Sequence, residues 1–139
     1  MRFIGRNDWR VPKRLIKRMD EATELIKNNR NLIFTIAFNY GGRAEIADAV
    51  KSLIKSGVSA DKINEKMLAR HLYDPQMPDV DLMIRTSGEF RTSNFLLWEL
   101  AYAEMWFTDT LWPDFNRQHM ADAVHDYRHR TRRYGGVIA

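Results

Sequence analysis

There is no cysteine in the 139 residues, so no disulfide staples the fold and stability has to come from burial. At this length the chain can bury a real core, and one domain over residues 1–139 is the expectation. No apolar run approaches the ~18 residues that a membrane-spanning helix needs. The opening "MRFIGRNDWR" is too charged for a signal peptide, so a cytoplasmic location is expected. Proline occurs only four times and glycine seven, and no internal repeat, low-complexity segment or flexible linker interrupts the chain. Charge of neither sign prevails: 22 Lys and Arg against 18 Asp and Glu leave +4. That modest excess points to an anionic partner, with nucleic acid, phospholipid head groups and diphosphates all qualifying. No nucleic-acid-binding motif accompanies it, and nucleic acid is not the expected partner.

What is present alternates between two periodicities. Leu15, Met19, Ala22, Leu25 and Ile26 recur at helical spacing behind Pro12. "NLIFTIAFN", residues 31–39, reads as a strand buried on both faces. Ile46, Ala49, Val50, Leu53 and Ile54 mark a second helix that Gly57 can close, and Ser59 can cap a third through about His71. Pro75 and Pro78 then break the chain before a second strand, "VDLMI". A loop, a helix from about Asn94 and a short strand-like "MWF" follow. Met120, Val124, Tyr127, Thr131 and Tyr134 mark a last long helix stopped by Gly135 and Gly136. Strands alternating with helices predict an α/β fold with a mainly parallel sheet flanked by helices, and such sheets gather ligands beyond the carboxyl ends of their strands.

Two loops lie at that address, "NYGGR" and "RTSGEFRTSN". In the second, Arg85 and Arg91 are six residues apart, and a guanidinium presents a planar fork of donors that matches phosphate oxygens. Gly88 would let the backbone approach an anion, Ser93 would add a hydroxyl, and a helix N-terminus would add free N–H groups. These residue types equally suit a solvated loop in which the arginines pair with Glu89 or Glu99. His125 and His129, four apart on the last helix, lack the adjacent Glu and third ligand of a zinc site, so a solvated helix face is the simpler reading.

The stretches "FNYGGRAEI", "PDVDLMIRTSGEFRTSNFLLWELAYAEMWFTDTLWPDF" and "RRYGG" resemble segments of the cis-prenyltransferases, the family of undecaprenyl diphosphate synthase. The resemblance implies repeated condensation of isopentenyl diphosphate onto an allylic diphosphate, with Mg²⁺ as cofactor. It places Arg85, Arg91 and Ser93 on the diphosphate of isopentenyl diphosphate and Glu104 on magnesium. Arg133 and Gly135, in "RYG", would complete the substrate site of a dimer partner. Asn39, Gly41, Gly42 and Arg43 would have a structural role near the site, and Phe90 stands where family members vary. A homodimer, or a heterodimer with a related subunit or a separate N-terminal segment, is implied, with the aromatic stretch from Leu97 to Phe115 and the last helix near its interface. The product, a lipid, would bring peripheral membrane contact. The family's N-terminal segment, with its catalytic aspartate and allylic-diphosphate loop, has no counterpart here. No catalytic residue is therefore assigned, the chain reads as the C-terminal portion of a synthase, and it is expected to be inactive alone. A non-catalytic partner subunit of a heteromeric enzyme is the alternative, although keeping Arg85, Arg91, Ser93 and Glu104 together favours descent from an active one.

Overall fold

The structure, a computed structural model, describes residues 1–133 and residue 136. By its internal contacts the chain divides into two compact units, Met1–Met77 and Pro78–Ala139, and each contains one parallel pair of strands. The predicted α/β class with parallel pairing and flanking helices is what forms.

In the first unit, β1 (Arg2–Ile4) runs parallel to β2 (Thr35–Ala37), with Arg2 opposite Thr35 and Ile4 opposite Ala37. Only three residues of the predicted nine-residue strand pair, and Leu32, Ile33 and Phe34 are exposed rather than buried on both faces. The reason is that β2 has β1 along one edge and, among the described residues, no strand along the other. Helix α1 (Lys13–Leu25) follows Pro12 as predicted. Helix α2 (Gly42–Lys55) buries Glu45, Ala49 and Leu53, four apart on one face, while Val50 and Ile54 stay exposed. The buried face is thus turned from the predicted one toward a carboxylate. Gly57, at φ +71°, closes the helix in the left-handed conformation that glycine adopts without strain. The third helix is shorter than predicted. A single 3-10 turn, Ala60–Lys62, gives way to α3 (Glu65–Ala69), because the Asn64 side chain captures the Met67 N–H at 3.0 Å and starts the helix anew.

In the second unit, β3 (Leu82–Arg85) pairs in parallel with β4 (Glu104–Phe107), Leu82 opposite Glu104 and Arg85 opposite Phe107. The predicted helix from Asn94 does not form. Ser93, Asn94 and Leu96 all have positive φ, which breaks a right-handed helix, and the chain descends through turns that bury Leu96, Glu99 and Leu100. Helix α4 (Arg117–Arg128) starts in a reciprocal cap between Asn116 and His119 and ends before Thr131. Tyr134 and Gly135, the last part of the predicted helix and its stop, lie outside the described residues. His119 Nε2 lies 3.4 Å from the Thr110 hydroxyl just past the carboxyl end of β4, and Arg130 bonds Glu104 at the other end. The helix therefore returns along β4 in the opposite direction.

Candidate diphosphate site

The loop after β3 is lashed to the chain after β4. Thr108 N–H donates to the Arg85 carbonyl at 3.0 Å, Ser87 N–H to Thr110 at 2.9 Å and Gly88 N–H to Thr108 at 3.0 Å. The Gly88 N–H is thereby used within the protein. Gly88 does permit a close approach, but the group that approaches is Asp109: at φ +66°, a Cβ on residue 88 would lie 2.9 Å from Asp109 Oδ1. Phe90 folds back over Phe107 with ring centroids 5.0 Å apart, so a residue the sequence left without a role fastens the loop tip.

Within this frame the two arginines differ. Arg91 is ion-paired with Glu89, one of the two partners considered for it. The side chain of Arg85, a half-buried residue at the carboxyl end of β3, makes no hydrogen bond or ion pair among the described residues. Its fork of donors is available to an anion. Ser93 is exposed in a left-handed turn, so the hydroxyl is present without the helix N-terminus predicted beside it.

Glu104 lies elsewhere. It opens β4 while Arg85 closes β3, about 10 Å apart along the strands at the usual rise per residue. Side chains alternate between faces, so Glu104 shares a face with Leu82 and Ile84, and Arg85 shares the other with Met83 and Phe107. One Glu104 oxygen accepts from Arg130 Nη1 at 3.0 Å; the same nitrogen donates to the Met105 carbonyl at 2.9 Å, and Nη2 pairs with Asp126. Glu104, followed by Asp126, holds the Arg130 guanidinium above its ordinary pKa, so it stays charged. Two residues on, Arg132 pairs with Asp81 and takes the Tyr127 hydroxyl as a further partner at 2.9 Å. Arg133 follows, exposed; Gly135 lies outside the described residues. The fold thus joins Glu104 to the start of the C-terminal segment and separates it from Arg85 and Arg91. A hard magnesium ion uses one or two carboxylates plus phosphate oxygens, and Glu104 fits one such position. Among the described residues no three ligating side chains gather to complete it.

The first loop, in the other unit, is a scaffold. Asn39, at φ +50° past β2, donates from Nδ2 to the Arg6 carbonyl at 2.7 Å and to Asp8 at 3.3 Å. Gly41 and Gly42 open α2. Glu45, in its first turn and only 1 % exposed, accepts from the Tyr40 hydroxyl and from Tyr73 N–H at 3.0 Å. Beside it Asp48 receives a two-pronged bond from Arg6, at 2.7 and 3.0 Å, and the Tyr73 hydroxyl at 2.8 Å. The Arg6 bond, helped by Tyr73, holds Asp48 well below the usual carboxylate range. Asp48 in turn raises Arg6, and burial followed by the bond to Asp48 pushes Tyr73 up to about 12. Sequence reasoning missed this network. The signal available was an acid in the first turn behind "YGG", where the helix dipole favours it.

A parallel strand that ends beside a loop, with an arginine side chain open to solvent there, is an arrangement that can receive a phosphate group. The chain matches, over residues 1–135, the family model described as "Putative undecaprenyl diphosphate synthase", and it belongs to that family, the cis-prenyltransferases. It is 51% identical to the trans,polycis-polyprenyl diphosphate synthase ((2Z,6E)-farnesyl diphosphate specific) of Thermobifida fusca, covering 99% of this chain and 50% of that one. An isoprenyl transferase of Bacillus cereus is 45% identical, over 99% of this chain and 54% of its own. The structure of lavandulyl diphosphate synthase from Lavandula x intermedia in complex with dimethylallyl diphosphate superimposes with a TM-score of 0.88 at 35% identity, over 96% of this chain and 58% of that one. The chain spans about half the length of the curated relatives it matches.

Proposed function

We propose that these residues form the isopentenyl-diphosphate part of a cis-prenyltransferase site, with Arg85, Arg91 and Ser93 on the diphosphate. The observation that carries the reading is Arg85: a half-buried arginine whose guanidinium has no protein partner among the described residues, at the carboxyl end of a parallel strand and just before the loop that carries Arg91. The relatives supply the substrate class, since their names and titles specify farnesyl diphosphate and dimethylallyl diphosphate. In the proposed reaction the allylic carbon loses diphosphate, bonds to the terminal alkene carbon of isopentenyl diphosphate, and a proton leaves to form the new cis double bond. Arg85 and Arg91 hold the acceptor's diphosphate so that its alkene faces the allylic carbon, and Ser93 adds a neutral donor. Arg91 reaches this role by giving up Glu89. Magnesium, when bound, stabilises the charge on phosphate oxygens, and Glu104 is the carboxylate that would hold it. Arg133 and Gly135 would complete the site of a second copy, in a dimer working in the cytoplasm and touching membrane only through its lipid product.

The test is incorporation of radiolabelled isopentenyl diphosphate with farnesyl diphosphate and Mg²⁺. The 139 residues alone should incorporate none, and adding a segment that carries the family's allylic-diphosphate loop should give turnover. No turnover in the mixture would favour the non-catalytic partner subunit, and full turnover by these residues alone would contradict the proposed division of the site.

A further inference from the structure

The geometry points to a cation site of another kind at the end of α4: His125 and His129 form a two-imidazole chelate for a divalent ion of the Ni²⁺, Cu²⁺ or Zn²⁺ class. It is independent of the diphosphate reading, whose magnesium position is a carboxylate oxygen on Glu104. Both histidines are exposed, so the helix face is solvated as the sequence suggests. They are nevertheless paired on it, with ring centres 4.3 Å apart and ring planes tilted by 45°. Two imidazoles sharing an ion at about 2.0–2.1 Å have centres roughly 4.5 Å apart when their bonds meet at a right angle and about 5 Å apart in a tetrahedron. The pair is therefore a small side-chain rotation from chelation, and nearest to the right-angled arrangement that Cu²⁺ and Ni²⁺ favour.

The tautomer suits a ligand as well. His129 Nδ1 lies 2.7 Å from the His125 carbonyl oxygen, which can only accept, so in the neutral ring Nδ1 carries the hydrogen and Nε2 keeps its lone pair. A carbonyl on the far nitrogen is the usual support of a metal-bound imidazole. The His125 side chain makes no hydrogen bond among the described residues and is free to turn toward its neighbour. Charge also favours a cation here. His125 is in the last turn of α4 and His129 caps it, at the negative end of the helix dipole. Each has an aspartate three residues before it, Asp122 accepting from Gln118 at 2.8 Å and Asp126 paired with Arg130, and these offset Arg128 and Arg130. No third ligating side chain joins the pair among the described residues, so water completes the shell. An ion held this way binds the folded turn in preference to the unfolded chain. It clips the end of α4, from which Arg130 reaches Glu104 and Arg132 reaches Asp81, and so steadies the base of the segment that leads into Arg133.

Calorimetric titration of the full chain with Ni²⁺, and separately with Zn²⁺, in a background of about 10 mM Mg²⁺ tests the site. A single equivalent of either ion should bind, because imidazole nitrogen discriminates against the hard Mg²⁺. At about a hundredfold excess over Kd the unfolding temperature, followed by circular dichroism, should rise by about 5 °C or more. His125→Gln and His129→Gln, both at exposed positions, should each weaken binding about tenfold or more and abolish the rise, since either change leaves one imidazole where there were two. His71→Gln should leave both readings as they are, because His71 is bonded to Ser52 in the other unit. The proposal is overturned if neither ion binds, if Mg²⁺ displaces them, or if binding survives within about twofold when either His125 or His129 is replaced.

Discussion

Glu45 offers the sharpest test of what holds the first unit together. Its carboxylate is 1 % exposed and has two donors aimed at it, the Tyr40 hydroxyl and the Tyr73 N–H. Glu45→Ala removes the acceptor of both donors at a buried position. An unsatisfied buried donor costs roughly 1–3 kcal/mol, so two donors and the vacated volume should cost about 3–5 kcal/mol. Glu45→Gln should cost only about 1 kcal/mol, for a specific reason: the amide oxygen can accept from Tyr73 N–H, and the amide nitrogen can donate to the Tyr40 oxygen once that hydroxyl turns outward. The order of the two variants therefore reports acceptor chemistry rather than shape. Urea unfolding followed by far-UV circular dichroism measures both, and at an m-value of about 1–3 kcal/mol per molar the alanine variant should lower the midpoint by a molar or more. Equal midpoints for the two variants, or an alanine variant within about 0.5 kcal/mol of the parent, would refute the reasoning.

Asp48 gives a pH signature. Its folded pKa lies below the unfolded value of about 3.9, so the folded state binds fewer protons in that window, and the stabilisation is present above it and fades as pH falls toward the folded value. Asp48→Asn should therefore be less stable than the parent at pH 7, with the gap closing in acid; a gap that stays constant from pH 7 to pH 2 in thermal melts would contradict this. Gly88→Ala should destabilise the second unit by about 1–3 kcal/mol, since residue 88 combines positive φ with a carboxylate at the Cβ position. Asp109→Ala in the same chain should return part of that loss in a double-mutant cycle, and a purely additive pair would show that Asp109 is not the obstacle.

The parts of the fold legible in the sequence were those set by apolar periodicity and by strong punctuation: α1 behind Pro12, α2 before Gly57, β3 after Pro78, and the clamp loop with its arginines. β1 escaped because three residues, "RFI", carry no measurable period. The false helix at Asn94 arose because "LLWELAYA" has helical spacing and burial, while the left-handed turns at Ser93, Asn94 and Leu96 leave no mark in that spacing. The buried face of α2 was misread for a related reason. Counting apolar residues gave weight to Val50 and Ile54, whereas the face is decided by Tyr40 and Tyr73 offering donors to Glu45. At the site, spacing brought Arg85 and Arg91 near one another, and the structure places Arg85 as the last residue of β3 and Arg91 in the loop after it, but the separation of Glu104 from them depends on strand register and face, and register is a pairing property that one strand's sequence does not contain.

The central claim is that Arg85 is held open for a diphosphate, and calorimetric titration of the chain with isopentenyl diphosphate in Mg²⁺ tests it most directly. Removing one charge-assisted contact is worth roughly 1.5–3 kcal/mol, so Arg85→Ala should raise Kd by about 10- to 150-fold with the unfolding midpoint unchanged. Arg91→Ala should have a smaller effect, because Glu89 already competes for that guanidinium. An Arg85→Ala chain that binds isopentenyl diphosphate as tightly as its parent would contradict the account.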